Sequence, residues 1–117
     1  MPAAIDAMRR DLEDAATHLG RPHDLRFKSM FGGLMAYLGA KPCAWLTAGG
    51  LALKLAPADQ RVLLQLDGAT RLIARPGAAQ SRHYILLPAA LSRDTGQLAG
   101  WLARSAARSA IRPRSRR

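Results

Sequence analysis

Three extended runs follow one another in this chain with almost nothing between them. Residues 31–38, 43–48 and 51–55 are rich in strand-forming side chains, and their connections are GAKP at 39–42 and GG at 49–50. Connections this short make hairpins, because a parallel crossover needs a dozen or more residues. The centre of the fold must therefore be an antiparallel sheet.

On either side the periodicity changes. Ile5, Met8, Leu12, Ala15, Ala16 and Leu19 recur at three- and four-residue spacing, with Arg9, Arg10, Glu13 and Asp14 off that stripe. This predicts an amphipathic helix stopped by Gly20 and Pro22. PADQRVLLQLDG, residues 57–68, opens on a proline suited to a first helical turn and closes on a glycine suited to a C-cap. TRLIAR and RHYILL read as two more strands around the turn-rich PGAAQS. Asp94 and Gln97 have capping-box spacing, and Leu98, Trp101, Leu102, Ala106 and Ala110 form the apolar face of a last helix, with Trp101 expected to anchor it on the sheet. The predicted order is α-β-β-β-α-β-β-α, a two-layer α+β fold on a five-stranded antiparallel sheet. Residues 1–111 form one domain in this reading. Residues 112–117 are four arginines, a proline and a serine, a basic tail with nothing to bury and expected to be disordered.

Composition narrows the class. With 117 residues, 49% of them hydrophobic, the chain can bury a core without metals or several disulfides. Its single cysteine, Cys43, forms no intrachain disulfide and points to a reducing cytosol. No apolar run reaches membrane-spanning length, and the N-terminus lacks the order of a secretion signal, so a cytoplasmic protein without membrane contact is expected. The net charge of +10 is uneven: residues 1–30 are neutral, and residues 104–117 hold six arginines and no acid.

The motifs MFGG, a hairpin, GGLALKL, YILLP and D-x-x-x-L-x-x-W in an alanine-rich helix, taken in order over roughly residues 26–110, resemble the N-terminal domain of the TfoX/Sxy proteins. The resemblance implies a two-layer α+β domain related in shape to secretion-chaperone-like folds. It also implies a link to bacterial regulators of natural competence, which act on transcription without a known catalytic site. The sequence departs from the pattern at Gly39-Ala40, where Asp-Gly is usual, and at Ala89 after Pro88, where an acid is common. An arginine tail stands where the two-domain regulators continue into a second, helical domain.

Catalytic chemistry finds little support. A phosphate loop sets its glycines between a strand and a helix N-terminus. Gly32-Gly33 instead lead into a strand and a hairpin, with no Lys-Ser/Thr after them, which predicts a bulge or a close approach by a helix. Cys43 has no nucleophile signature. His18 and His23 are separated by Gly20 and Pro22, and with His83 they meet at a metal only if the tertiary fold gathers them. Asp11, Glu13 and Asp14 read as a solvated helix face rather than an acid–base pair. No enzyme, cofactor or metal site is expected.

Two binding surfaces remain. An even-length hairpin loop sets Leu46 opposite Leu53, Ala44 opposite Leu55 and Ala48 opposite Leu51 on a core face, and pairs Trp45 with Lys54 and Thr47 with Ala52 on the other. If the GAKP connection is also even, Leu34, Ala36 and Leu38 join that second face. A two-layer fold leaves one sheet face without helices, so Trp45, Lys54, Thr47, Leu34 and Leu38 become a partner-binding strip unless a terminal segment or the last helix covers them. The second surface is Arg104, Arg108, Arg112, Arg114, Arg116 and Arg117. It is read either as solubilising charge favoured by the helix dipole or as a phosphate-binding strip. No aromatic residue follows Trp101 to stack on bases, so nucleic-acid contact there would be sequence-independent. The leading expectation is a non-enzymatic regulatory module presenting a sheet face to a protein partner. The alternative is a small non-specific nucleic-acid-binding protein using its C-terminal arginines, and a third is a small-molecule-binding domain or vestigial enzyme with a pocket near Cys43. Oligomeric state is left open.

Overall fold

A computed structural model describes residues 3–30, 32–73 and 77–110. The elements are α1 (Ala3–His18), β1 (Leu25–Met30), β2 (Gly33–Leu38), β3 (Lys41–Thr47), β4 (Gly50–Lys54), α2 (Pro57–Leu63), β5 (Thr70–Arg71), β6 (Tyr84–Leu86), α3 (Ala89–Ser92) and α4 (Thr95–Ala110). The strands form one antiparallel sheet in the order β1-β2-β3-β4-β6-β5. The fold is the expected α+β, with six strands where five were predicted.

The sixth strand is β1, which comes before the glycine doublet. Its residues LRFKSM turn Leu25 and Phe27 towards the core, where they pack partly buried. Met30 pairs with Gly33, so Gly32 lies in the tight connection between β1 and β2 and not in a strand. Gly32, at φ 78°, takes the left-handed conformation that such a loop requires. The doublet is therefore half turn and half close contact. The contact at Gly33 is with strand β3, not with a helix: a β-carbon there would stand 2.7 Å from the Leu46 carbonyl oxygen and 2.9 Å from Trp45 Cζ2.

Both long helices end or begin as their sequences dictate. Gly20 is left-handed at φ 75°, and the Gly20 and Arg21 amides donate to the Thr17 and Ala16 carbonyls, closing α1 in a Schellman arrangement. At α4 the Gln97 amide donates to Asp94 Oδ1 at 3.0 Å and its side-chain amide donates to Oδ2 at 3.2 Å. These bonds hold the Asp94 carboxyl below its ordinary range.

The main core lies between the sheet and the helices. Ile5, Leu12, Ala15 and Ala16 of α1 meet Leu98 and Leu102 of α4 over the strand residues Leu34, Leu46, Leu51 and Leu53. Leu63 of α2 and Leu91 of α3 close the same cluster. Leu98 and Leu102 are fully buried and anchor α4, whereas Trp101 sits half-buried at the shoulder of that stripe under the Arg104 guanidinium, 5.1 Å from its ring centroid. The tryptophan is thus a flank and not the anchor. Gln60, a buried polar residue, ties α2 to the β5–β6 region. Its amide nitrogen donates to the Leu55 and Arg82 carbonyls at 2.7 and 2.8 Å, and its oxygen accepts from Arg71 at 2.7 Å.

Candidate functional site

The face of the sheet turned away from the helices is built by strand register. Across the first row Arg26 stands opposite Tyr37, and Tyr37 opposite Pro42. Across the second, Lys28 faces Met35, Met35 faces Trp45, Trp45 faces Ala52, and Ala52 faces Leu86. Lys54 faces Tyr84. A small second cluster forms there: Trp45, Ala52 and Leu72 are buried, with Met30, Met35, Tyr84 and Leu86 half-buried against them. Among the described residues no helix side chain enters this cluster. Ala52 is small enough for Tyr84 to reach across the sheet, where its hydroxyl donates to Met35 Sδ at 3.6 Å.

Several sequence-derived positions need correction. Trp45 lies opposite Ala52, not Lys54, and Thr47 opposite Gly50, because the β3–β4 turn takes residues 48 and 49 rather than 49 and 50. The shift is by two, so Trp45, Thr47 and Lys54 keep the face expected of them. Leu34 and Leu38 do not share it; both are buried in the main core, as is Ala36. The hairpin at Gly39-Ala40 is even, with Leu38 opposite Lys41, but the register slips between Ala36 and Tyr37. This bulge inserts one residue of β3 and reverses the parity of everything beyond it. Trp45 is 8% exposed, covered by neighbouring strand side chains and Leu72 rather than by a helix. It is the floor of the face, while half-buried Met35, Tyr37 and Tyr84 form its surface.

Cys43 lies at the bulge. It is buried, its thiol donates to the Ala36 carbonyl at 3.5 Å, and its own carbonyl accepts from buried Ser105 of α4 at 3.3 Å. Three clefts of about 550, 530 and 210 Å³ open elsewhere, and Cys43 lines none of these three. The second runs between α1, the β3–β4 turn and α3, with Asp11 and Arg93 among its walls. Burial pushes the Asp11 carboxyl up, against the pull of Arg93. His18, His23 and His83 are exposed, and the described residues contain no group of metal-ligating side chains. On α1, Glu13 pairs with Arg9 at 3.5 Å, and Arg9 lies over the Phe27 ring.

The arginine series divides. Arg104 bonds Asp59 of α2 at 2.7 Å while lying over Trp101, so it serves the packing of α4. Arg108 falls on α4 with its side chain outside the description, and Arg112, Arg114, Arg116 and Arg117 lie outside the described residues. The sequence reading missed Gln60 and Arg71; the signal for Gln60 was its place three residues before buried Leu63, on the inward stripe of α2.

The family model described as the TfoX N-terminal domain matches residues 17–109, most of the chain. No curated protein and no solved structure matches it.

Proposed function

Because the chain belongs to the TfoX N-terminal domain family, which supports a regulatory type of domain, we propose that it is a non-enzymatic regulatory module acting by protein contact through the helix-free face of its sheet. One observation carries this reading. The sheet has a second apolar cluster, around Trp45, on the side that no described helix covers. Strand faces of this kind are ordinarily buried, and one left open with methionine and tyrosine at its surface suits an adaptable protein contact.

The helical layer is occupied with holding the fold. Its capping carboxylate, its Arg104–Asp59 bridge and its Gln60 clip are all structural. In this reading the module works in the cytoplasm, where a buried, reduced Cys43 is stable, and the competence link of the family is one setting for it. Among the described residues no helix is long and apolar enough to cross a membrane.

The test is recovery of full-length tagged protein from its native cell, with and without nuclease, beside a Met35→Ala/Tyr37→Ala variant. A protein partner that survives nuclease and is lost with the variant is the expected result. A partner lost to nuclease and indifferent to the variant transfers the function to the C-terminal arginines.

A further inference from the structure

The charged residues of the six strands are Arg26, Lys28, Lys41, Lys54 and Arg71, and no strand contains a carboxylate. All eight acidic residues lie elsewhere: four on α1, one on α2 and three in connections. In the helical layer, where carboxylates are at hand, Arg9 is bridged to Glu13 and Arg104 to Asp59, though among the described residues Arg10 and Arg61 carry no such bridge, and Arg21 is bridged to Asp24 before β1 begins. The sheet has no such internal supply. Among the described residues neither Arg26 nor Lys28 has a carboxylate within salt-bridge distance, and both are exposed on the open face. Cations on an edge strand deter edge-to-edge pairing, but that role does not require an entire sheet without acids.

Resting on the reading of this face as the binding surface, we propose that its partner's docking segment is an acidic protein segment carrying large apolar side chains. The apolar side chains would lie on Met35, Tyr37 and Tyr84, and the carboxylates would meet Arg26 and Lys28 along the β1 margin. Rim charges of one sign select and steer a partner of the other, while the apolar middle supplies contact area. A nucleic-acid strand fits less well. Base-stacking platforms need rings that stand clear of the sheet. Trp45 is 8% exposed, and the Tyr84 hydroxyl is bonded to Met35.

The experiment is a random-peptide display selection on the immobilised full-length protein, followed by titration of the selected peptides made synthetically. Enrichment of Asp and Glu together with large apolar residues is expected. Binding of those peptides should weaken by roughly tenfold or more in an Arg26→Glu/Lys28→Glu variant and as salt is raised. A variant with Arg112, Arg114, Arg116 and Arg117 all changed to Ser should bind as the parent does. Neutral or basic selected peptides, or no enrichment at all, would overturn the proposal. So would loss of binding only in the tail variant, or ready displacement of the peptides by oligothymidylate. If the selected peptides are not acidic yet still depend on Tyr37, the face stands as a binding surface and only its charge preference falls. If no bound peptide depends on any residue of the face, the underlying functional reading falls with it.

Discussion

Replacing Gly33 with alanine isolates the reason for the glycine doublet. Gly33 lies outside the left-handed region, so alanine meets no backbone penalty there. Taken alone, the change would stabilise by about 0.4–1 kcal/mol, through reduced freedom of the unfolded chain. The obstacle is contact. The new β-carbon would stand 2.7 Å from the Leu46 carbonyl oxygen, and Leu46 is paired with Leu34, so this oxygen can retreat only by disturbing the β2–β3 ladder. The Trp45 ring, at 2.9 Å, is packed in the second cluster. Overpacking costs about 1–3 kcal/mol, and against a laddered backbone oxygen the upper part of that range applies, about 2–3 kcal/mol. Less a gain of up to about 1 kcal/mol, this leaves a net loss of about 1–2 kcal/mol. At about 4 °C per kcal/mol for a domain of this size, the thermal midpoint should fall by about 4–8 °C. Gly32→Ala meets nothing within 4 Å but must hold φ 78°, and should cost a similar ~1 kcal/mol for a different reason. A Trp45→Leu background separates the two: it should relieve part of the Gly33→Ala penalty and none of the Gly32→Ala penalty. Urea unfolding followed by far-UV circular dichroism measures all of these without using tryptophan as the probe. A Gly33→Ala protein within about 0.5 kcal/mol of the parent would refute the close-contact account.

The anchor of α4 can be tested by comparing Leu102→Ala with Trp101→Ala. The fully buried leucine should cost about 2–5 kcal/mol, and the half-buried tryptophan should lose less than that leucine; the reverse order of unfolding midpoints would restore Trp101 as anchor. Asp11→Asn should stabilise the protein at neutral pH. Burial raises the Asp11 carboxyl above 3.8, so its ionised form disfavours folding above the raised value, and the advantage of the variant should vanish below the unfolded value; a variant less stable at neutral pH would show that Arg93 outweighs the burial. If the last arginines bind duplex DNA, changing Arg112, Arg114, Arg116 and Arg117 to Ser should flatten the log–log salt dependence by about three to four units, with equal affinity for unrelated sequences; identical slopes would leave them as solubilising charge.

How far the residues reveal the fold depends on the distance over which each signal acts. Local signals were sufficient for the two long helices: the Gly20 stop, the Asp94–Gln97 cap and the stripe through Leu98 and Leu102 all stand where the sequence sets them. By contrast α2, expected to run to a C-cap at Gly68, ends at Leu63, and the short α3 was not expected. The α+β class followed from hairpin connections too short for crossovers. Parity failed where a single residue was inserted. Nothing in KPCAWLT announces a bulge beyond Pro42, which cannot donate a ladder bond, so Leu34 and Leu38 were assigned to the wrong face. β1 escaped because the run 31–38 was read straight through Gly32, which stands in the connection between β1 and β2. The face itself was identified from Trp45, which proved to be its floor; its surface residues Met35, Tyr37 and Tyr84 come from strands whose adjacency no local pattern specifies. The absence of carboxylates from the five expected strands was legible in the sequence, but it acquired meaning only once β1 joined the sheet and Arg26 and Lys28 were seen to share the side without helices.

The central claim, that this chain acts through the helix-free sheet face, is tested most directly by photo-crosslinking in the native cell. A benzophenone amino acid would replace Tyr37 on that face or Ala107 on the exposed side of α4, in the full-length protein. A discrete protein adduct from position 37, with none from position 107, is the predicted result. Adducts formed only from position 107, or adducts at position 37 made only of nucleic acid, would contradict it.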